Sequence, residues 1–255
     1  MVLLIETLEN NITVIKINRP DKRNALNLET YAAFVDAFRN LRTTDTRCVI
    51  LTGEGTHFCA GGDVTEMMER KGKSMTTKER LEDGLNQIVR EIRSLRIPVI
   101  AAVNGACFGA GLVLASASDL VYCNQSAKFG FAHGNIGLIP EGSYFLTRFL
   151  GLLKAKEYVF LRKVMTSEDA IKFGFVNDVF PDDELFSKVL AIANQISEGP
   201  TRTLGMAKEV LNQAYEDQLE THMHHESLSQ GAAFSTEEHV EGVNAFLEKR
   251  KPKFS

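Results

Sequence analysis

Cysteine is scarce and scattered in this chain of 255 residues. Cys48, Cys59, Cys107 and Cys123 form no Cys-x-x-Cys pair and have no histidine cluster beside them. That argues against a zinc site or a disulfide framework and for buried, reduced thiols. A surplus of one charge is also missing: the formal net charge is −4. With no basic excess to hold phosphate backbones, nucleic acid is not an expected partner. No apolar run reaches the roughly 20 residues of a membrane span. "MVLLIETLENN" lacks the basic region and cleavage site of a signal peptide, and "KPKFS" is not a peroxisomal address. Cytoplasm is the expected location, with no membrane partner. No Gly-x-Gly-x-x-Gly fingerprint or phosphate-binding P-loop occurs. Tryptophan is absent, which excludes nothing.

What is present is enough apolar residue, 44%, for one sizeable core. "LLIET" and "ITVIKIN" alternate and read as a hairpin around "ENN". "LETYAAFVDAFRNL" puts Tyr31, Phe34, Val35, Phe38 and Leu41 on one helical face, with Asn27 as its cap. Buried strands "RCVILTG", "IPVIAAV" and "DLVYCN" then alternate with glycine turns and helices, which argues for an α/β fold. The lysine-rich "RKGKSMTTK" is expected to be mobile. "SEDAIKFG" reads as a helix capped by its serine. Beyond residue 150 the pattern is mostly helical. Residues 1–195 are read as an α/β core carrying the active site, and 196–255 as a helical C-terminal region.

Two glycine-rich turns follow buried strands: "FCAGGD" (Phe58 to Asp63) and "GACFGAG" (Gly105 to Gly111). Each is either a tight strand-to-helix turn or one half of an oxyanion hole, with a free backbone N–H from each loop aimed at one point. A further stretch, "NIGLIPEGSYF", holds one carboxylate, Glu141, amid apolar residues. It reads either as an acid at a helix start or as a base raised in pKa by Ile136, Leu138, Ile139, Tyr144 and Phe145. Other candidates carry less. His222, His224 and His225 in "THMHHES" do not form His-Glu-x-x-His and are expected to be solvated, so no metal site is expected. Asp119 reads as structural, since no Gly-x-Ser-x-Gly elbow supports a serine triad. Cys59 and Cys107 read as filler beside the turns. Met67, Met68 and Met75 either line an acyl tunnel or pack a helix.

Taken in order, "NRPDKRNALN", "VILTGEGTHFCAGGDV", "PVIAAVNGACFGAGLVLASASDL", "AKFGF" and "IGLIPEGS" resemble the crotonase (enoyl-CoA hydratase/isomerase) superfamily over nearly the whole chain. The resemblance implies a crotonase-type ββα spiral core whose C-terminal helices mediate trimerisation, as a homotrimer or a hexamer. It implies an acyl-CoA or acyl-carrier-protein thioester as substrate, with coenzyme A part of that substrate and no separate cofactor. The oxyanion donors fall on Gly62 and Ala110. Coenzyme A contacts fall on Arg23, Ala25, Leu26, Ala60 and Asp63, with Arg23 or Lys22 placed to meet a phosphate or else to stay solvated.

The departures from the family pattern bear on the reaction. The two glutamates used for hydration are replaced by Val113 and His133, so ordinary hydration is not expected. His133 is a candidate acid/base because imidazole titrates near neutrality. It also reads as a plain pocket residue. Glu141 matches the place where isomerases of the superfamily carry their base. The expectation is a 3-enoyl-CoA to 2-enoyl-CoA isomerase. Another thioester reaction (hydratase, decarboxylase or hydrolase) and a non-catalytic acyl-CoA-binding protein are the alternatives.

Overall fold

The computed structural model describes residues 1–69 and 73–254. Strands β1 (Leu3–Leu8) and β2 (Ile12–Ile17) form the expected antiparallel hairpin. Helix α1 (Leu28–Leu41) follows, and the Asn27 side chain accepts the Thr30 N–H at 2.9 Å as its cap. The face carrying Tyr31, Phe34, Val35, Phe38 and Leu41 is buried.

A unit of two strands and a helix then recurs. Strands β3 (Cys48–Gly53) and β4 (His57–Cys59) precede α2 (Val64–Glu69), α3 (Ser74–Arg80) and α4 (Asn86–Ser94). Strands β5 (Val99–Val103) and β6 (Ala106–Phe108) precede α5 (Ala110–Ala117). Strands β7 (Leu120–Asn124) and β8 (Lys128–Gly130) lead through a 3-10 turn (Ala132–Ile136) to α6 (Ser143–Leu150) and α7 (Leu152–Phe160). The second strand of each pair enters a sheet of order β4-β6-β8-β9, where β9 is Val164–Thr166. The first enters a larger sheet of order β1-β2-β3-β5-β7-β10, where β10 is Asp178–Phe180. Pairing along β4-β6-β8 and from β2 to β10 is parallel. The chain is therefore the expected α/β ββα spiral, and each turn adds one strand to each sheet.

Helix α8 (Ser167–Lys172) starts one residue earlier than expected. Its cap is Thr166, which accepts the Asp169 N–H while Asp169 reaches back to the Thr166 N–H. This reciprocal box satisfies two free donors where the Ser167 cap would satisfy one, and the Ser167 hydroxyl instead donates to the Gln125 carbonyl. Helix α9 (Leu185–Ser197) packs Leu185, Val189 and Ala193 against Ile12, Ile50 and Ile100 of the larger sheet. The last helices are α10 (Thr201–Gln213), α11 (Leu219–Phe234) and α12 (Glu237–Leu247). Helix α10 is tied to the core by a buried ion pair, Lys208 Nζ to Asp119 Oδ2 at 2.7 Å, and the same oxygen accepts the Val99 N–H. Asp119 thus has the structural role expected of it.

Part of the lysine-rich stretch read as mobile, residues 70–72, lies outside the described residues; Ser74–Arg80 is helical. Among the described residues no helix is long and apolar enough to cross a membrane.

Candidate active site

Three consecutive turns of the spiral deliver residues to one edge of the smaller sheet. Strands β4, β6 and β8 lie side by side, and the glycine loops and His133 follow their C-terminal ends. The first loop is laced to the segment 23–26. The Ala60 N–H donates to the Arg23 carbonyl, the Leu26 N–H to Gly61 and the Asp63 N–H to Leu26, at 2.7 to 3.0 Å. In such an extended ladder alternate residues turn their N–H groups to opposite sides. Gly61 and Asp63 bond to Leu26, so the Gly62 N–H faces away from it, and among the described residues it has no acceptor.

The second loop works through a helix start. Gly109, at φ +51° and ψ −119°, precedes α5 in a conformation that suits only glycine. Ala110 is then the first helical residue. Its N–H is one of the donors every helix start leaves over, and it too has no acceptor among the described residues. The loops touch at backbone level: a Cβ on Gly109 would stand 3.5 Å from the Gly61 Cα, and one on Gly61 3.3 Å from the Phe108 carbonyl oxygen. The two expected amides therefore come from adjoining loops, each carrying a free donor.

His133 and Glu141 meet beside them. The His133 Nε2 lies 3.7 Å from Glu141 Oε2, with side chains 8% and 26% exposed. The imidazole edge lies on Gly109, 3.2 to 3.4 Å from where a Cβ would be. Its Nδ1 is buried with no partner among the described residues. Glu141 does not cap α6, whose cap is Gly142 with no side-chain bond. Val113, the other departure from the two-glutamate pattern, abuts the turn: its Cγ2 is 2.8 Å from a Cβ built on Gly142. The expected apolar wall is different, however. Ile136, Leu138 and Ile139 point outward, Ile139 being 84% exposed, because the 3-10 turn closes on the left-handed Gly137 and turns that stretch away from the sheet. Only Tyr144 and Phe145 of the five face inward to any extent.

Tyr31 lines the Gly62 side. Its hydroxyl lies 3.8 Å from a Cβ built on Gly62. Burial first, and then the charge of Glu141, push its phenol well above the ordinary tyrosine range. It is therefore a neutral O–H beside the Gly62 half of the site. Arg80 stacks over its ring at 5.1 Å and pairs with Glu66 at 2.9 Å. Met67 lays its methyl group against Gly62, whereas Met68 and Met75 are exposed. Sequence reading placed Tyr31 in the core and passed over Arg80. The available signal was a lone hydroxyl on an otherwise hydrocarbon helix face.

Of the residues expected to hold coenzyme A, Arg23 is exposed, Ala25 and Ala60 are half-buried, and Leu26 is buried. Asp63 is a clamp: one oxygen pairs with Arg19 at 2.9 Å and the other accepts the Thr65 N–H. Burial opposes its charge, but the bonds from Arg19 and Thr65 outweigh that and hold the carboxyl below its usual value. The thiols are inert. Burial lifts Cys59 to about 12 and Cys107 well above the ordinary range, and thiolate is the reactive form. His222 and His225 both approach Asp217, and no group of three metal-ligating side chains occurs among the described residues. An open cleft of about 620 Å³ between α4, α6 and α10 borders this region at Val113, Gly142, Tyr144 and Phe145. It does not include Gly62, where Met67 lies.

Residues 7–255 match the family model described as Enoyl-CoA hydratase/isomerase. The chain is 33% identical to the 1,2-epoxyphenylacetyl-CoA isomerase of Escherichia coli K12, covering 100% of this chain and 99% of that protein. It is 33% identical to the short-chain-enoyl-CoA hydratase of Clostridium acetobutylicum, covering 95% and 94%. Its structure is similar to a crystal structure of an enoyl-CoA hydratase from Mycobacterium smegmatis, with a TM-score of 0.94 at 30% identity over 100% and 99% of the two chains. Family model, relatives and fold agree, and the chain belongs to the crotonase (enoyl-CoA hydratase/isomerase) family of enzymes.

Proposed function

We propose that this enzyme isomerises 3-enoyl-CoA to 2-enoyl-CoA with Glu141 as its single base. The observation that carries the reading is the approach of one carboxylate, Glu141, to His133, whose ring lies on Gly109, with Val113 at the position where the family pattern for hydration has a second acid. The thioester oxygen accepts the N–H groups of Gly62 and Ala110, which stabilises negative charge on that oxygen. Glu141 takes a proton from C2, the resulting dienolate places its charge on the thioester oxygen, and the same carboxyl returns the proton to C4. Syn addition of water asks for two acid/base roles, and Val113 can fill neither.

The 3.7 Å approach of His133 to Glu141 favours one second reading, in which imidazole supplies the other role and the enzyme hydrates 2-enoyl thioesters. Purified protein is given 3-enoyl-CoA, 2-enoyl-CoA and a saturated acyl-CoA, and conjugation, water addition and free thiol are followed. Conjugation that disappears in Glu141→Gln supports isomerisation. Water addition that needs both Glu141 and His133 supports the second reading and overturns the first. Exposed apolar residues on the last helices, Leu219, Leu228, Phe234 and Phe246 among them, support association into a trimer or hexamer, which sedimentation tests.

A further inference from the structure

Arg80 is a buried cation with a spare donor. Its side chain is 8% exposed, its Nη2 is paired with Glu66, and its Nη1 has no partner among the described residues. It stacks over the Tyr31 ring, whose hydroxyl also has no partner among them and sits beside Gly62. The two donors thus belong to one stacked pair whose phenol end reaches Gly62, and a hydrocarbon chain alongside it would offer neither an acceptor, which is unfavourable for the buried guanidinium N–H. The charge balance decides which acceptor fits. Glu66 already matches the guanidinium charge, and Glu66 and Glu141 both act on Tyr31. A carboxylate on the substrate would join two others, while an uncharged oxygen takes the free N–H without that repulsion.

We propose that Arg80 and Tyr31 select thioesters whose acyl group carries a neutral oxygen acceptor (a carbonyl, ether, epoxide or hydroxyl oxygen) beyond the reacting carbons. Met67, packed on Gly62, shifts to admit that chain. This inference rests on the acyl-thioester reading above, and goes beyond it by naming the class of acyl group.

Calorimetric binding to the wild-type protein tests it without any turnover. The ligands are hexanoyl-CoA, the oxohexanoyl-CoAs with the carbonyl at C4 or C5, and glutaryl-CoA. At least one oxo thioester is expected to bind about tenfold or more tighter than hexanoyl-CoA, and tighter than glutaryl-CoA. That ratio is expected to fall to about one in Arg80→Met and to drop severalfold in Tyr31→Phe, with folding checked by circular dichroism. If Arg80→Met does not fold, the wild-type series and Tyr31→Phe decide. Equal binding of the oxo and plain thioesters overturns this inference alone. So does a preference that survives both substitutions, or tightest binding of glutaryl-CoA. Failure of every thioester to bind overturns the thioester reading together with it.

Discussion

The amide half and the side-chain half of the candidate site are held by different kinds of structure. Gly62 and Ala110 are fixed by main-chain geometry: a ladder to residues 23–26 on one side, a helix start on the other, and two glycines in backbone contact between them. His133 and Glu141 belong to the connection between β8 and α6, where the Gly137 and Leu138 N–H groups both donate to the His133 carbonyl. The difference teaches where such a scaffold is free to vary. An alanine in place of a glycine at 110 leaves the N–H intact, whereas under the proposed mechanism exchanging the residues at 113, 133 or 141 changes which proton can move. A shared fold with divergent reactions is the natural outcome.

Substitutions on either side test that contrast, and the largest effect is expected in the side-chain half. Glu141→Gln should lower isomerisation about 10²–10⁴-fold, measured as the rate of conjugation, with acyl-CoA affinity and melting temperature close to wild type. A fall in affinity that accounts for the whole loss would show that Glu141 binds rather than reacts. In the amide half, Gly109→Ala forces a side chain into a left-handed position against His133. It should cost about 1–3 kcal/mol in denaturant unfolding, with a loss of rate beside it. Unchanged stability would contradict the backbone-locked picture.

The Arg19–Asp63 clamp predicts a smaller effect in acid. The carboxyl titrates lower in the folded than in the unfolded chain, so its contribution is complete above the ordinary aspartate value near pH 4 and is lost as pH falls through the lowered value. The wild-type melting temperature should therefore drop more steeply below about pH 4 than that of Asp63→Asn, which lacks the contribution throughout. Parallel curves would remove the clamp from the account. The smallest change is expected for Gly62→Ala, because the new methyl crowds the flexible end of Met67 and meets the Tyr31 hydroxyl at ordinary contact distance. Stability should stay within about 1 kcal/mol of wild type, and a large loss would mean Met67 cannot move aside.

Much of this was legible in the sequence because it is local. The strand, glycine and helix recurrence follows from residue spacing, and the Asn27 cap from side-chain type. The illegible part is what long-range packing brings together. Tyr31 and Arg80 lie on helices far from residue 141 in the chain, and periodicity marks Tyr31 only as one more apolar-face residue. The outward turn of Ile136, Leu138 and Ile139 was hidden for another reason: in irregular backbone no period distinguishes the inner from the outer face, and the left-handed Gly137 decides it.

The two adjoining glycine loops carry one more consequence. Peptide N–H groups do not ionise across the range in which enzymes work, and Tyr31 is held far from ionising there. A pH dependence of turnover therefore cannot originate in the amides or in that phenol, and a pH limb that vanished in Tyr31→Phe would contradict this.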